Sequence, residues 1–364
     1  MEFVQSGQAL AELRRELEKA EWVALDTEFV RERTYYARLC LIQLATPQWL
    51  VLVDPLALDD LSDLLDALYA PRLIKVLHAA RQDLEVFYDL RQAVPQPVFD
   101  TQLAAAYLGY DDQIGYAALV QALTGVTLEK TQTRTDWAVR PLSAEQLRYA
   151  QDDVRYLREL YGALVEKLGA RGRLAWLAED CARLADAGLY RNDPEAAWRR
   201  LKSGRRLAPA GQQLLRALAA WREQTAREKN LPRGWVVRDD ALLELARRAP
   251  ETRAQLAQVP GLEAPALKKW GDALLACVAA GRRAAPETLW PPHAPLTPAQ
   301  TGLCKRVLEE LKTVALEQDL SGALLGTRHD VEQLVRGAHE TRLLRGWRGA
   351  LLGERLAALL PQTG

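Results

Sequence analysis

Two carboxylates, Asp26 and Glu28, interrupt the otherwise apolar run WVALDTEFV. On a strand, residues i and i+2 share a face, so the two acids are neighbours. At about 6 Å and an effective dielectric of about 20 they repel by roughly 3 kcal/mol, before any cost of desolvation. Two more acids sit beside apolar stripes. In HAARQDLEVF, Asp83 falls next to the helical stripe of Ala80, Leu84 and Phe87. In LRYAQDDVRYLRELYGAL, one face is built from Leu147, Ala150, Val154, Leu157, Tyr161 and Leu164. Asp153 lies about 70° from the centre of that face, whereas the adjacent Asp152 points almost the opposite way, toward solvent. Tyr149 precedes Asp153 by one turn on the same side. Singly, each is ordinary: a solvent-facing pair, a solvated helix residue, an amphipathic contact. Together, four such carboxylates require divalent cations, and hard oxygen ligands suit Mg²⁺ and Mn²⁺. Two such ions about 4 Å apart clamp the attacking and leaving oxygens of a phosphodiester.

The elements that must position these acids follow from the hydrophobic pattern. WVALDTEFV, LCLIQLAT and WLVLVDPL read as consecutive antiparallel strands, followed by the helix LDDLSDLLDALYA, the strand RLIKVLH and the helix AARQDLEVFYDL. That order predicts a mixed central sheet with flanking helices, an α/β fold. After Tyr161 the strand patterns stop, and the chain is Leu/Ala/Arg-rich with helical period to its end. Pro and Gly clusters break it near 204–209, 231–234, 259–265 and 286–298. RRAAPETLWPPHAPLTPAQ reads as a linker between two helical units. The expected boundaries are 1–170 for the α/β domain, 171–207 for a helical linker, and 208–285 and 296–364 for two all-α modules.

Composition removes several classes. Lys+Arg and Asp+Glu are 48 each in 364 residues, so the balance permits local basic surfaces without a strongly basic chain. The four cysteines show no CxxC spacing and read as reduced thiols. The amino terminus carries charges where a signal peptide needs an apolar centre, and no run of about 18 apolar residues occurs; a cytoplasmic protein with no membrane partner is expected. There is no GxxxxGK[ST] loop for an ATP-driven helicase and no GxGxxG after a strand for a dinucleotide oxidoreductase.

Four stretches carry a resemblance to a known family: DTEFVRERTYYARLCLIQLAT, HAARQDLEVF, VFDTQLAAAYLGY and LEKTQTRTDWAVRPLSAEQLRYAQDDVRYL. The chain resembles the ribonuclease D family of the DEDD superfamily, 3′→5′ exonucleases with an RNase H-like fold. Its helical half is similar to a pair of HRDC domains, through LRALAAWREQTAREKNLPRGWVVRDDALLELARRAP and the looser LSGALLGTRHDVEQLVRGAHETRLLRGWRGALLGERLAALL. The resemblance implies metal ligation by Asp26, Glu28, Asp83 and Asp153, two Mg²⁺ or Mn²⁺ ions, and a Tyr149 that orients the attacking water. It also implies hydrolysis from a free 3′-OH with release of 5′-mononucleotides, and precursor tRNAs with 3′ extensions as the RNA substrates of a monomer. A phenol near pKa 10 is a poor base at neutral pH, which favours water positioning for Tyr149.

Basic and aromatic residues around the acids are candidates for substrate contact: Arg31, Arg33, Lys130, Arg134, Trp137 and Arg140, with His78. His78 and Asp83 have the H-x₄-D spacing of a sister branch's final motif, but here that position is taken by Tyr149 and Asp153. The imidazole is therefore read mainly as holding the strand–helix junction. In the helical half, Arg222, Arg227, Lys229 and Arg233 are candidates for phosphate contacts that hold the folded body of a tRNA. On that reading, a cut after Leu207 spares turnover of short single strands. The competing reading is a non-catalytic RNA-binding scaffold that keeps the fold; the intact acidic set favours the enzyme.

Overall fold

The computed structural model describes residues 2–128, 135–286, 288–290, 294–338 and 340–360. The apolar runs assemble as a six-stranded mixed sheet: β1 (Glu2–Val4), β2 (Trp22–Val30), β3 (Arg38–Ala45), β4 (Leu50–Val53), β5 (Ile74–Leu77) and β6 (Val98–Asp100). Their spatial order is β1-β4-β3-β2-β5-β6. β3 and β4 pair antiparallel, with Ile42 opposite Val53, while β1/β4, β2/β5 and β5/β6 pair parallel. β2 is thus interior, which explains its apolar composition apart from the two acids.

The helices of this region are α1 (Gly7–Lys19), α2 (Ser62–Leu68), α3 (Arg81–Arg91), α4 (Thr101–Ala106), α5 (Tyr116–Thr124), α6 (Ala144–Ala170) and α7 (Leu174–Leu184). The start of α6 is fixed by a reciprocal capping box between Ser143 and Gln146. Its apolar face then lies on the sheet: Val154 and Leu157 pack with Ala24 of β2 and Ala45 of β3. The small alanines let the α6 backbone approach β2 closely enough for side chains of the two elements to meet.

The chain divides into two compact units, one of Met1–Val30, Leu39–Leu189 and Pro295–Gly364, the other of Arg31–Arg38 and Tyr190–Ala294. The first unit contains more than the expected α/β domain. Helices α13 (Pro298–Glu317), α14 (Gly322–Leu325), α15 (Arg328–Val335) and α16 (Gly346–Leu359), numbered here in chain order after the five helices of the second unit, belong to it. Leu303, Val307, Leu311 and Val314 share one core with Ala104–Leu108, Leu160 and Leu164. Within that core Arg348 is fully buried and forms a two-pronged ion pair with Asp180, at 2.8 and 2.6 Å, while the Tyr107 hydroxyl donates to the same carboxylate at 2.6 Å. Trp347 stacks on Trp176 at 4.7 Å. The expectation that a cut after Leu207 leaves a working α/β domain is therefore corrected, because that cut strips one side of its core. Removing Arg348 alone leaves Asp180 charged and buried, so Arg348→Ala is expected to lose about 3–5 kcal/mol of stability in urea unfolding.

The second unit is built on α8 (Pro209–Glu228), α9 (Arg233–Val236), α10 (Asp239–Arg248), α11 (Arg253–Leu256) and α12 (Ala264–Arg283). Leu214, Leu215, Leu218, Leu242, Leu245, Leu274 and Val278 fill its core. Residues 31–38 are bound into it: the Asn230 side-chain oxygen accepts from the backbone N–H groups of Tyr35 and Tyr36 at 3.0 and 3.1 Å, and the Tyr35 hydroxyl donates to Glu223. Three of the arginines proposed as phosphate contacts have structural partners instead. Arg222 is buried and donates to the Val237 carbonyl and Asp239, Arg233 pairs with Glu223 at 2.6 Å, and Arg227 donates to the Tyr36 hydroxyl. Partners inside the second unit, charged and neutral, hold all three.

Lys75 of β5 is buried with no carboxylate partner among the described residues, and its ammonium donates to the carbonyls of Leu73 and Ala70. Burial lowers its pKa from 10.5 to about 7. Between those values the unfolded chain holds a proton the folded chain lacks, so this group makes the fold more stable as pH rises through the window. The stability of the wild type relative to Lys75→Met is expected to grow between about pH 7 and pH 10.5, read from chemical unfolding at each pH.

Candidate metal centre and active site

Where α6 crosses β2, one carboxylate oxygen each of Asp26, Glu28 and Asp153 lies within 4.8 Å of the other two. These three line a cavity of about 530 Å³ together with Thr27, Phe29, His78, Gln82, Asp83, Tyr116 and Tyr149. Asp83, in the first turn of α3, belongs to the same cavity but not to the tight trio. Its carboxylate accepts from the Thr27 hydroxyl at 2.5 Å, and both residues are buried. The strand thus supplies two acids to the trio and, through the intervening threonine, holds the fourth.

Among the described residues, the electrostatics of the cavity are those of an acidic cluster without a cationic partner. Burial pushes Asp26 well above the ordinary carboxylate range, and Asp83 and Asp153 push it further. Glu28 rises to about 9, by burial first and then by the charges of Asp26 and Asp83. Asp153 is raised by burial and by Glu28, Asp152 and Asp83. Asp83 rises only to about 6, since burial is opposed by the Thr27 hydrogen bond. Among the described residues no lysine or arginine lines this cavity. A trio of all-oxygen donors, close together and without a described counter-charge, fits hard divalent cations. Tyr149 stands beside the cluster, and burial with the Asp153, Glu28 and Asp26 charges raises its pKa, so the phenol stays protonated.

The junction between β5 and α3 is strained in a way that sets Asp83. Ala79 has φ of 53°, a left-handed conformation that costs a residue with a Cβ roughly 1–2 kcal/mol. The buried Asp100 compensates: its carboxylate accepts from the N–H groups of Ala79 and Ala80, and also from Gln102 and Leu103 as the N-cap of α4. This residue carried no role in the sequence reading. An aspartate followed at once by a helical run is an N-cap signal that could have found it. Tyr116 was missed as well; its hydroxyl lies 2.8 and 2.6 Å from the carbonyls of Asp152 and Asp153, against the turn of α6 that presents the third ligand.

Several candidates for substrate contact have partners within the protein. Both nitrogens of His78 are used, Nδ1 with the Thr101 hydroxyl at 2.9 Å and Nε2 with the Ile114 carbonyl at 3.1 Å. Burial lowers its pKa, which favours the neutral ring, and Nε2, facing a carbonyl that can only accept, carries the proton and donates to it. His78 is a brace on the cavity wall. Trp137 is buried among Cys40, Leu41, Leu52 and Ala150, with its ring 6.1 Å from that of Tyr149. Arg140 clamps the buried Asp54 with Nε and Nη2, each at 2.7 Å, and donates to the Cys40 and Trp137 carbonyls. Its fork is filled, leaving it no spare geometry for a phosphate. Lys130 and Arg134 lie outside the described residues. Arg31 and Arg33 are exposed in the segment that packs with the second unit. Asp152 is half-buried rather than fully exposed; it does not line the cavity, and its carboxylate pairs with Arg155 at 3.0 Å.

A family model described as 3′-5′ exonuclease matches residues 1–169, and one described as HRDC domain matches residues 211–278. Among relatives, Ribonuclease D of Bartonella henselae is 36% identical over 362 residues, covering 97% of this chain and 87% of its own length. Ribonuclease D of Gluconacetobacter diazotrophicus is 41% identical over 355 residues, covering 94% and 88%. Among solved structures, Escherichia coli RNase D, described as an exoribonuclease involved in structured RNA processing, superposes with a TM-score of 0.87 at 34% identity over 98% of each chain.

Proposed function

This chain belongs to the ribonuclease D family and is a metal-dependent 3′→5′ exoribonuclease, and we propose that Asp26, Glu28, Asp83 and Asp153 are its metal-binding acids and Tyr149 the residue that orients the attacking water. The observation that carries this is the trio of carboxylate oxygens within 4.8 Å, raised in pKa by burial and mutual repulsion. Two Mg²⁺ or Mn²⁺ ions held there would supply the missing positive charge and the Lewis acidity that phosphodiester hydrolysis needs. Asp26, Glu28 and Asp153 would hold one directly. Asp26 and Asp83, the latter fixed by Thr27, would hold the other. The protonated Tyr149 hydroxyl aligns water rather than taking its proton.

The substrates we propose are precursor tRNAs and other small structured RNAs with 3′ extensions, cut from a free 3′-OH to 5′-mononucleotides by a monomeric, cytoplasmic enzyme. The similarity to an exoribonuclease of structured RNA processing supports the substrate class. No helix among the described residues is long and apolar enough to cross a membrane. The family match at residues 211–278 supports the expected module at 208–285 as an HRDC domain.

The test is digestion of a 3′-extended tRNA transcript carrying either a 3′-OH or a 3′-phosphate, with and without chelator. The proposal expects stepwise release of 5′-mononucleotides from the 3′-OH transcript alone, restored after chelation by Mg²⁺ or Mn²⁺. Binding without cleavage at any metal concentration supports the RNA-binding scaffold instead.

A further inference from the structure

Gln43 sits in the middle of β3 and is wholly buried. On that strand Leu39, Leu41, Gln43 and Ala45 alternate onto one face, and the other three are apolar and buried. An amide there is costly: its Oε1 is buried with no hydrogen-bond partner among the described residues, whereas a leucine would leave nothing unpaired. The side chain makes one polar contact that bears on chemistry, Nε2 donating to Oδ2 of Asp26 at 3.4 Å. The reverse amide orientation would set oxygen against carboxylate oxygen, so the donor side is the one facing the acid.

We infer that Gln43 is a positioning residue of the metal centre, which holds the Asp26 carboxylate in the orientation its ions require. This rests on Asp26 being a metal ligand, as proposed above. Groups that hydrogen-bond to ligands from behind fix their rotamers and tune their basicity, and their loss weakens metal binding 10–100-fold. Asp26 gains from such support, because Asp83 and Asp153 repel it and only the Thr27 backbone hydrogen bond opposes them. A donor that carries no charge orders the carboxylate without competing with the cation for it.

The experiment uses the full-length, RNA-free protein and Mn²⁺ itself, by calorimetric titration, alongside thermal unfolding. Gln43→Leu removes the donor and the orphaned acceptor at nearly constant volume. The metal-free Tm is expected to hold or rise, the Mn²⁺ Kd to weaken about tenfold (about 1.4 kcal/mol), and kcat on a short oligonucleotide to fall at sub-saturating Mn²⁺ with KM within twofold. Gln43→Asn, which keeps the amide but withdraws it by one methylene, is expected to show the same loss of affinity and stands in if the leucine variant does not fold. A Mn²⁺ Kd within threefold of wild type in a folded variant overturns the inference. Absence of Mn²⁺ binding by the wild type overturns the metal-centre reading itself, a different outcome from the first.

Discussion

Asp26→Asn is expected to lower exonuclease turnover by at least about 10⁴-fold, roughly 5.5 kcal/mol of transition-state stabilisation, in a protein that folds normally. Asp26 is the shared member of the acidic cavity: it faces Glu28 along the strand, repels Asp83 and Asp153 across it, and accepts from Gln43 behind it. Replacing one carboxylate oxygen by NH₂ changes volume little and removes a buried acid whose ionisation is disfavoured. The metal-free variant is therefore expected to melt at or above the wild-type Tm, while added Mn²⁺ should no longer raise it. Steady-state hydrolysis of a short oligonucleotide and paired thermal melts read both effects. A variant keeping a tenth of wild-type turnover would show that the acids do not act as a metal site.

The adjacent aspartates of α6 give the second large effect. Asp153→Ala is expected to lose at least about 10³-fold in turnover, roughly 4 kcal/mol, since its oxygen completes the trio with Asp26 and Glu28. Asp152→Ala is expected to stay within about tenfold. Its carboxylate is occupied by Arg155, and the part of residue 152 that touches the cavity wall is its carbonyl, held by Tyr116 and unaffected by the substitution. Comparable losses in the two variants, measured at saturating metal, would mean that α6 presents a different face to β2.

The acids were legible because each lies in an element whose apolar pattern fixes its direction. The i, i+2 spacing in β2 and the leucine face of α6 place Asp26, Glu28 and Asp153 without any long-range information. In sequence Asp83 reads only as a residue beside an apolar helical stripe; its place in the cavity and its tie to Thr27 come from the fold, because the threonine reads as an ordinary strand residue between two acids. Strands β1 and β6 escaped notice at three residues each, too short for period 2 to show. The C-terminal helices displayed an apolar face but not its partner, so a second independent module was expected where the structure has a shared core. Arg348 and Arg140 illustrate the same limit: an arginine in sequence looks solvent-bound or substrate-bound, and only the fold brings up Asp180 from 168 residues away or Asp54 from 86. Gln43 is the converse, a polar residue in an apolar strand whose cost makes sense only once Asp26 stands beside it.

The most direct test is anomalous diffraction from crystals of this protein soaked in Mn²⁺. Strong peaks in contact with carboxylate oxygens of Asp26, Glu28 and Asp153, lost in crystals of Asp26→Asn, are the predicted result. A protein that hydrolyses RNA in the same Mn²⁺ solution, yet shows no peak within coordination distance of these three residues, would contradict the account.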